Sequence, residues 1–225
     1  MKNQNNIKNG YPKNSTYWQN HKKLFVNLPS NLFDISIGSI LGDACMYKVS
    51  KNSKLKFEQG YMHKDYLFHL FEFFKLYTFH EEPYIRYELR GERKGIVKSY
   101  SFRTFTHPIF DPIWDLFISN GNKSIKPNLI INYLTAEGLT YWIIDDGSLQ
   151  QNKLTLILHT QGYSKEEVQI LSLELNKKFN FHSKVIVHKK KYWVIEIPKE
   201  DAKILHNLIK PYIHNSINYK LPKIY

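Results

Sequence analysis

One order of helical and extended patterns occurs twice in this chain, and that duplication limits its fold more than any other feature. In the first half, Ser30-Asn31 read as a helix cap, and a helix is predicted over 31–42, ending at Gly42-Asp43. A strand follows over 55–59. The stretch 63–77 carries Leu67, Leu70, Phe71, Phe74 and Tyr77 at helical spacing. Two strands over 84–90 and 96–106, joined by Gly91 to Gly95, read as a hairpin, and a short helix is predicted over 108–118. The second half repeats the order. A helix over 136–145 ends at Asp145-Asp146-Gly147, and a strand covers 153–160. Ser164 caps a helix running to Phe179, with Glu167 completing a capping box. A hairpin over 185–187 and 192–197 and a closing helix over 199–212 finish the chain. The pattern predicts an N-terminal extension over 1–30, a first half over 31–125 and a second half over 126–225, in the α+β class.

The two helix ends stand 103 residues apart, about one half-chain. Gly38 and Gly42 are four residues apart and share one helix face. A mid-helix glycine costs about 1 kcal/mol relative to alanine, which close contact with another backbone would offset. An ordinary packed helix ended by Gly42 is the plainer reading of that spacing. Asp-Asp-Gly alone is a common turn signal. Two matching acidic ends need a common explanation. If the helices pack side by side, Asp43 and Asp146 emerge together as a hard-oxygen site suited to Mg²⁺. Two such metals can activate a water and steady the leaving oxygen of a phosphodiester.

Charge points to the same substrate class. The chain has 32 Lys and Arg against 20 Asp and Glu, a formal net charge of +12, which favours a polyanionic partner. Arg86, Glu88 and Arg90 alternate and share one strand face, and Arg93, Lys94, Lys98 and Arg103 extend the basic character. Lys184, His188, Lys189, Lys190 and Lys191 cluster on the second hairpin, and Lys153 starts the preceding strand. A two-stranded ribbon fits the major groove of DNA, where base edges are distinguishable. Glu88 among the arginines leaves a solvated charged face as the plainer alternative.

Several classes are excluded. Cys45 is the only cysteine, so neither an internal disulfide nor a cysteine-based zinc site is expected. No apolar run approaches the ~18 residues of a membrane span. Met1 to Lys13 is polar and carries neither a signal-peptide core nor a transit-type helix. Usage rich in Lys, Asn, Ile, Tyr and Phe is favoured by AT-rich coding sequence, a compositional hint to an organellar gene. Phe68, Phe71, Phe73 and Phe74 are expected in the core. There is no Walker-type loop and no arguable Ser-His-Asp grouping.

The stretches Gly38-Ser39-Ile40-Leu41-Gly42-Asp43-Ala44 and Tyr141-Trp142-Ile143-Ile144-Asp145-Asp146-Gly147 resemble the two motifs of a single-chain LAGLIDADG homing endonuclease of the organellar, intron-encoded type. The similarity runs from about Phe33 to Pro222 and includes Asn132 to Thr135 and Tyr219 to Pro222. It implies a mixed α/β fold of two pseudo-symmetric αββαββ halves, with the motif helices at a central interface and antiparallel sheets forming a saddle over DNA. It implies Mg²⁺- or Mn²⁺-dependent cutting of both strands at one long site. The eighth motif position, the metal-binding acid, falls on Asp43 and Asp146, not Asp145, with Ala44 and Gly147 beside them in the metal site. At the positions facing Gly38 and Gly42 the second motif carries Tyr141 and Asp145, so an asymmetric crossing is expected, with one helix supplying most of the small surface.

A basic partner is expected in each half to steady charge on the scissile phosphate. Lys123 and Lys220 follow the last helix of their halves, 80 and 74 residues after the aspartates, and match family lysines in that role. Glu58 and Gln161, each 15 residues past its aspartate, are candidates to hold metal or water, with His159 competing in the second half. The expected molecule is a monomer acting on an asymmetric double-stranded DNA site, with no membrane partner, in a mitochondrion or plastid. The alternatives are an intron maturase that binds RNA and assists splicing, and a non-cutting DNA-binding protein.

Overall fold

The computed structural model describes residues 8–224, so the first seven residues of the expected 1–30 extension lie outside the described residues. Contacts divide the chain into two units. Their seam is not a single cut, because one unit holds residues 1–32 and 43–112 and the other holds 33–42 and 113–225.

In the first unit, α1 (Thr16–Lys23) begins at a Ser15 cap whose side chain accepts from the Trp18 amide. Trp18 is buried edge-on against Phe79 at 5.0 Å. This helix has one apolar anchor instead of a stripe, so periodicity gave no sign of it. The sheet consists of β1 (Cys45–Val49), β2 (Asn52–Gly60), β3 (Tyr84–Tyr87) and β4 (Val97–Arg103), ordered β1-β2-β4-β3 with every pairing antiparallel. Along β2, Ser53, Leu55 and Phe57 are buried while Lys54, Lys56 and Glu58 point the other way. The buried face packs on α3 (Lys64–Phe74), where Phe71 meets Phe102 at 5.4 Å and Phe74 meets Phe57 at 4.9 Å. As expected, Phe71 and Phe74 are core, while Phe68 and Phe73 are half-buried.

In the second unit, β7 (Gly147–Leu149), β8 (Leu156–Leu158), β9 (Lys184–His188) and β10 (Tyr192–Ile197) take the order β7-β8-β10-β9, again antiparallel. The strand order thus repeats that of the first unit. α7 (Lys165–Phe179) covers the sheet and starts in the expected capping box of Ser164 and Glu167. Its Glu174, 7% exposed, accepts the Ile130 amide at 2.9 Å and so caps α5 (Leu129–Tyr133). That contact fixes the approach to α6 (Ala136–Asp146), the second motif helix. The first, α2 (Ser30–Leu41), places residues 33–41 in this unit.

The structure corrects several boundaries. Each half has a strand directly after its motif, β1 and β7, that sequence patterning missed. Both are short, and four of the five residues of β1 are exposed, so neither shows alternating burial over enough residues. The strand expected over 84–90 stops at Tyr87, where Glu88 and Ile96 begin a turn closed by Gly91 and Gly95 at φ 70 and 86. The strand expected over 153–160 shrinks to 156–158, because Lys153 adopts φ 56 in the preceding turn. The short helix expected over 108–118 is a 3-10 turn followed by α4 (Asp111–Phe117), and the closing helix is a 3-10 turn followed by α8 (Ala202–Ile209). No helix among the described residues is long and apolar enough to cross a membrane.

Candidate active site

In the second unit the motif helices cross on their glycines. A Cβ on Gly38 would stand 1.9 Å from the Gly138 carbonyl oxygen, and one on Gly138 would stand 2.9 Å from that of Asp34. A Cβ on Gly42 would stand 2.5 Å from the Asp145 Cβ. Gly42 therefore faces Asp145 as expected, but Gly38 faces Gly138, not Tyr141. The small surface is supplied by both helices, and Tyr141 is buried at 2% exposure. The sequence hides this partner because helix register along a crossing is set by tertiary packing.

The crossing sets where the helix ends emerge. Gly147 closes α6 by donating its amide to Ile143, and a Cβ there would lie 2.6 Å from that same carbonyl oxygen. Asp146, the last residue of α6, lines a cavity of about 280 Å³ with Leu41, Gly42, Lys123, His159, Gln161 and Tyr163.

The unsatisfied carbonyls at both helix ends are taken up by the two sequence-predicted lysines. Lys123, on the short hairpin of β5 (Ile118–Ser119) and β6 (Asn122–Lys123), donates from Nζ to the Ile40 carbonyl. Lys220, ending a 3-10 turn, donates to Ile144 at 2.5 Å, with Ile143 and Asp145 at 3.4 Å. A cation at a helix C-terminus is favoured by the exposed carbonyls and by the dipole. Tyr163 joins the first end: its hydroxyl donates to Leu41 at 2.8 Å, and the Lys123 ammonium lies 5.0 Å from its ring centroid. Burial, then the charges of Asp146 and Glu167, pushes the Tyr163 phenol up, so it stays a neutral donor.

Opposite Asp146, the amide of His159 donates to the Asp146 carbonyl at 3.0 Å. The Gln161 amide meets His159 Nδ1 at 3.1 Å, and Ser148 Oγ meets Nε2 at 2.7 Å. Burial, then His188, Lys220 and Lys189, lowers the imidazole pKa. A neutral ring is consistent with that set, with Nδ1 accepting from Gln161. His159 and Gln161 thus act as neighbours in one network and not as competitors for one place.

Asp43 belongs to the first unit. Its Oδ2 accepts the Gln59 amide at 3.2 Å. Glu58, the residue selected by the offset of 15, is held elsewhere. It pairs with Lys56 at 2.5 Å and with Arg86, and it accepts from Ser99 at 2.7 Å. Burial raises its carboxyl, but those three donors outweigh burial and hold it at about 2. Adjacent strand residues point to opposite faces, so Gln59 reaches Asp43 and Glu58 cannot share that direction. Ala44 is buried beside Asp43.

The basic residues also divide by unit. In the first, Arg86 on β3 and Arg103 on β4 share the open sheet face with Lys54 and Lys56, which sequence reading missed. Lys98 sits at a register shift and pairs with Glu88 at 3.1 Å. Arg90, Arg93 and Lys94 lie in the turn, because the strand ends before them. In the second, Lys184 and His188 lie on β9, and Lys189, Lys190 and Lys191 form its turn. Lys189 and Lys190 hold φ 51 and 56. Lys153 lies in the turn before β8.

Among the described residues, no group of three or more His, Cys, Asp or Glu side chains is placed to hold a metal by itself. Mg²⁺ needs only one or two carboxylates when waters and substrate phosphates complete its shell. Asp146 in an open polar cavity fits that demand.

The model of the LAGLIDADG DNA endonuclease family matches residues 33–205. The chain is 36% identical over 217 residues to a protein of Wickerhamomyces canadensis named probable intron-encoded endonuclease 1, covering 94% of this chain and 93% of that one. It is 32% identical over 204 residues to the cytochrome b mRNA maturase bI2 of Saccharomyces cerevisiae, covering 86% of this chain but 48% of the maturase. Among solved structures it is similar to the homing endonuclease I-WcaI bound to its DNA recognition sequence, with TM-score 0.87, 34% identity and 96% of each chain covered.

Proposed function

Because the chain belongs to the LAGLIDADG DNA endonuclease family, we propose that it is a site-specific endonuclease that cuts both strands of a long, asymmetric DNA site as a monomer. The observation that carries this reading is the shared cavity of Asp146 and Lys123 at the end of the glycine-packed helices. A carboxylate and an ammonium in one opening suit a phosphodiester, which needs a cation holder on one side and charge neutralisation on the other.

Asp146 and Asp43 would hold Mg²⁺ or Mn²⁺, with the neighbouring Gly147 and Ala44 shaping the approach. When bound, the cation supplies neutralisation of phosphate charge and a more acidic water. Lys123 and Lys220 steady the charge that develops on the phosphate. The carbonyl contacts hold both ammonium groups at the helix ends, where their charge faces the proposed phosphate position. In the second unit Gln161 and the neutral His159 orient the attacking water near Asp146, and in the first unit Gln59 orients Asp43. The water oxygen bonds to phosphorus and releases a proton to solvent, the ester bond to the leaving sugar oxygen breaks, and that oxygen takes up a proton from solvent. The hairpin cations Arg86, Arg90, Arg93, Lys94, Lys98, Arg103, Lys153, Lys184 and Lys189 to Lys191, with His188, hold backbone and bases. The intron-encoded name of one relative and the AT-biased residue usage support an organellar origin for the protein.

Similarity to a protein named as an mRNA maturase favours a second reading, RNA binding that assists splicing. Selection of cleaved sites from a randomised duplex library, with Mg²⁺ and with EDTA, separates the two. Metal-dependent cutting at one long site is expected. No cleavage by the wild-type chain, alongside tight binding of structured RNA, would overturn the endonuclease reading.

A further inference from the structure

A second and larger cavity, about 540 Å³, opens in the first unit away from the aspartates. It is lined by Lys13 from the N-terminal segment, Lys54 from β2, Arg86 from β3 and Arg103 from β4, with Phe79 and Phe105 among its walls. None of its lining residues is acidic. Glu58 answers the charge of Arg86. Among the described residues, Lys13, Lys54 and Arg103 form no ion pair.

Lys13 is not on a loose tail. The turn from Pro12 to Ser15 is closed by a 2.9 Å amide hydrogen bond and leads into α1. Buried Trp18 anchors that helix against Phe79, and its indole donates to Tyr11 at 3.2 Å. The Lys8 amide donates to Phe79 at 2.9 Å. The Lys13 ammonium lies 5.6 Å from the Phe79 ring centroid. Burial lowers its pKa, and Lys54 and Arg103 lower it further, which reports that the three cations repel one another. Such a cluster is unfavourable by itself, and an anion relieves it.

We propose that this cavity binds a backbone phosphate of the DNA duplex, held by Lys13 of the N-terminal segment and Lys54 of β2 together with Arg103 at the end of β4. The site rests on the reading of the chain as a DNA endonuclease. Duplex DNA is favoured over a free phosphate because the cations continue along the open sheet face. Arg103 pairs in register with Lys56, and Arg86 lies across β4 at Ser99. The N-terminal segment thereby becomes part of the binding surface, a role that no motif in it announces. A backbone contact carries no sequence information, so it adds affinity for any duplex.

The test is the salt dependence of duplex binding by the full chain. Each neutralised phosphate contributes about 0.9 to the log–log slope. Lys13→Ala is expected to lower the slope by about that much and to weaken cognate and unrelated duplexes alike, while Lys13→Arg retains the wild-type slope. Lys177→Ala, which removes an exposed charge near the end of α7, serves as the control and leaves the slope unchanged. A steep wild-type slope that Lys13→Ala does not alter overturns the phosphate site and leaves the endonuclease reading standing. A flat wild-type slope overturns both. Binding of inorganic phosphate that Lys13→Ala abolishes, with an unaltered duplex slope, assigns the cavity to a free anion and overturns the proposal for DNA.

Discussion

The carbonyl oxygen of Gly138 lies where a side chain on Gly38 would begin, 1.9 Å from an ideal Cβ. Backbone cannot yield as a flexible side chain can, so the helices must separate to admit even a methyl group. Gly38→Ala is expected to cost about 3 kcal/mol or more, at the upper end for overpacking. Gly162→Ala, where nothing lies within 4 Å of the added Cβ, is the internal control. Thermal or urea unfolding of the two variants reads the difference. Equal midpoints would show that the crossing is not tight.

Asp43→Asn and Asp146→Asn keep side-chain size and remove the charge that a divalent cation needs. Each is expected to abolish double-strand cleavage and to leave duplex affinity within about tenfold, since phosphate contacts dominate binding. Plasmid cleavage measured beside equilibrium binding checks both halves of this expectation. Cutting at the wild-type rate by either variant would remove that residue from the chemistry.

Tyr163→Phe deletes one hydroxyl and keeps the ring beneath Lys123. The Leu41 carbonyl loses its donor, a loss of about 1 kcal/mol in stability. Because the hydroxyl also fixes the helix end beside the cavity, the single-turnover cleavage rate is expected to fall while duplex affinity holds. A loss of affinity with an unchanged rate would assign Tyr163 to binding instead.

Glu58 supplies the pH dependence. Its folded pKa of about 2 lies below the ordinary 4.5, so its pairing stabilises the fold fully above pH 4.5 and fades as pH falls towards 2. Glu58→Gln should therefore be less stable than wild type near neutrality, with the gap closing across that window. Denaturant titrations at several pH values read the gap directly. A gap that stays constant down to pH 2 would show that the carboxylate charge is not what Lys56, Arg86 and Ser99 hold.

Lys190 holds φ 56, a conformation that costs a residue with a Cβ about 1 kcal/mol relative to glycine. Lys190→Gly is expected to raise the melting temperature and to lower the salt slope of DNA binding by about 1. Opposite changes in the two measurements would mark the turn as strained for binding. A melting temperature that falls removes strain from the explanation.

Local signals were the legible ones. The capping box of Ser164 and Glu167 and the apolar stripe of α3 depend on neighbours within a few residues. The duplicated aspartates were legible because repetition needs no contacts to be seen. Gly138 was not, since its partner is decided by how far one helix slides along another. Gln59 was missed by one residue in favour of Glu58, and one residue in a strand reverses the face. Lys123 and Lys220 were singled out by placement along the chain. Their capping of Ile40 and Ile144 was hidden, because those carbonyls are 83 and 76 residues away.

The interleaved seam bears on how this molecule can be taken apart. Residues 33–42 precede the first unit's sheet in the chain but fold with the second unit. Splitting the gene after residue 112 would leave α2 on the wrong fragment, and Gly138 would face empty solvent. Chimaeras that exchange halves between relatives must therefore carry the helix with its spatial partner, at two junctions instead of one. What looks like a tandem pair of modules is, for the engineer, two units interleaved along the chain.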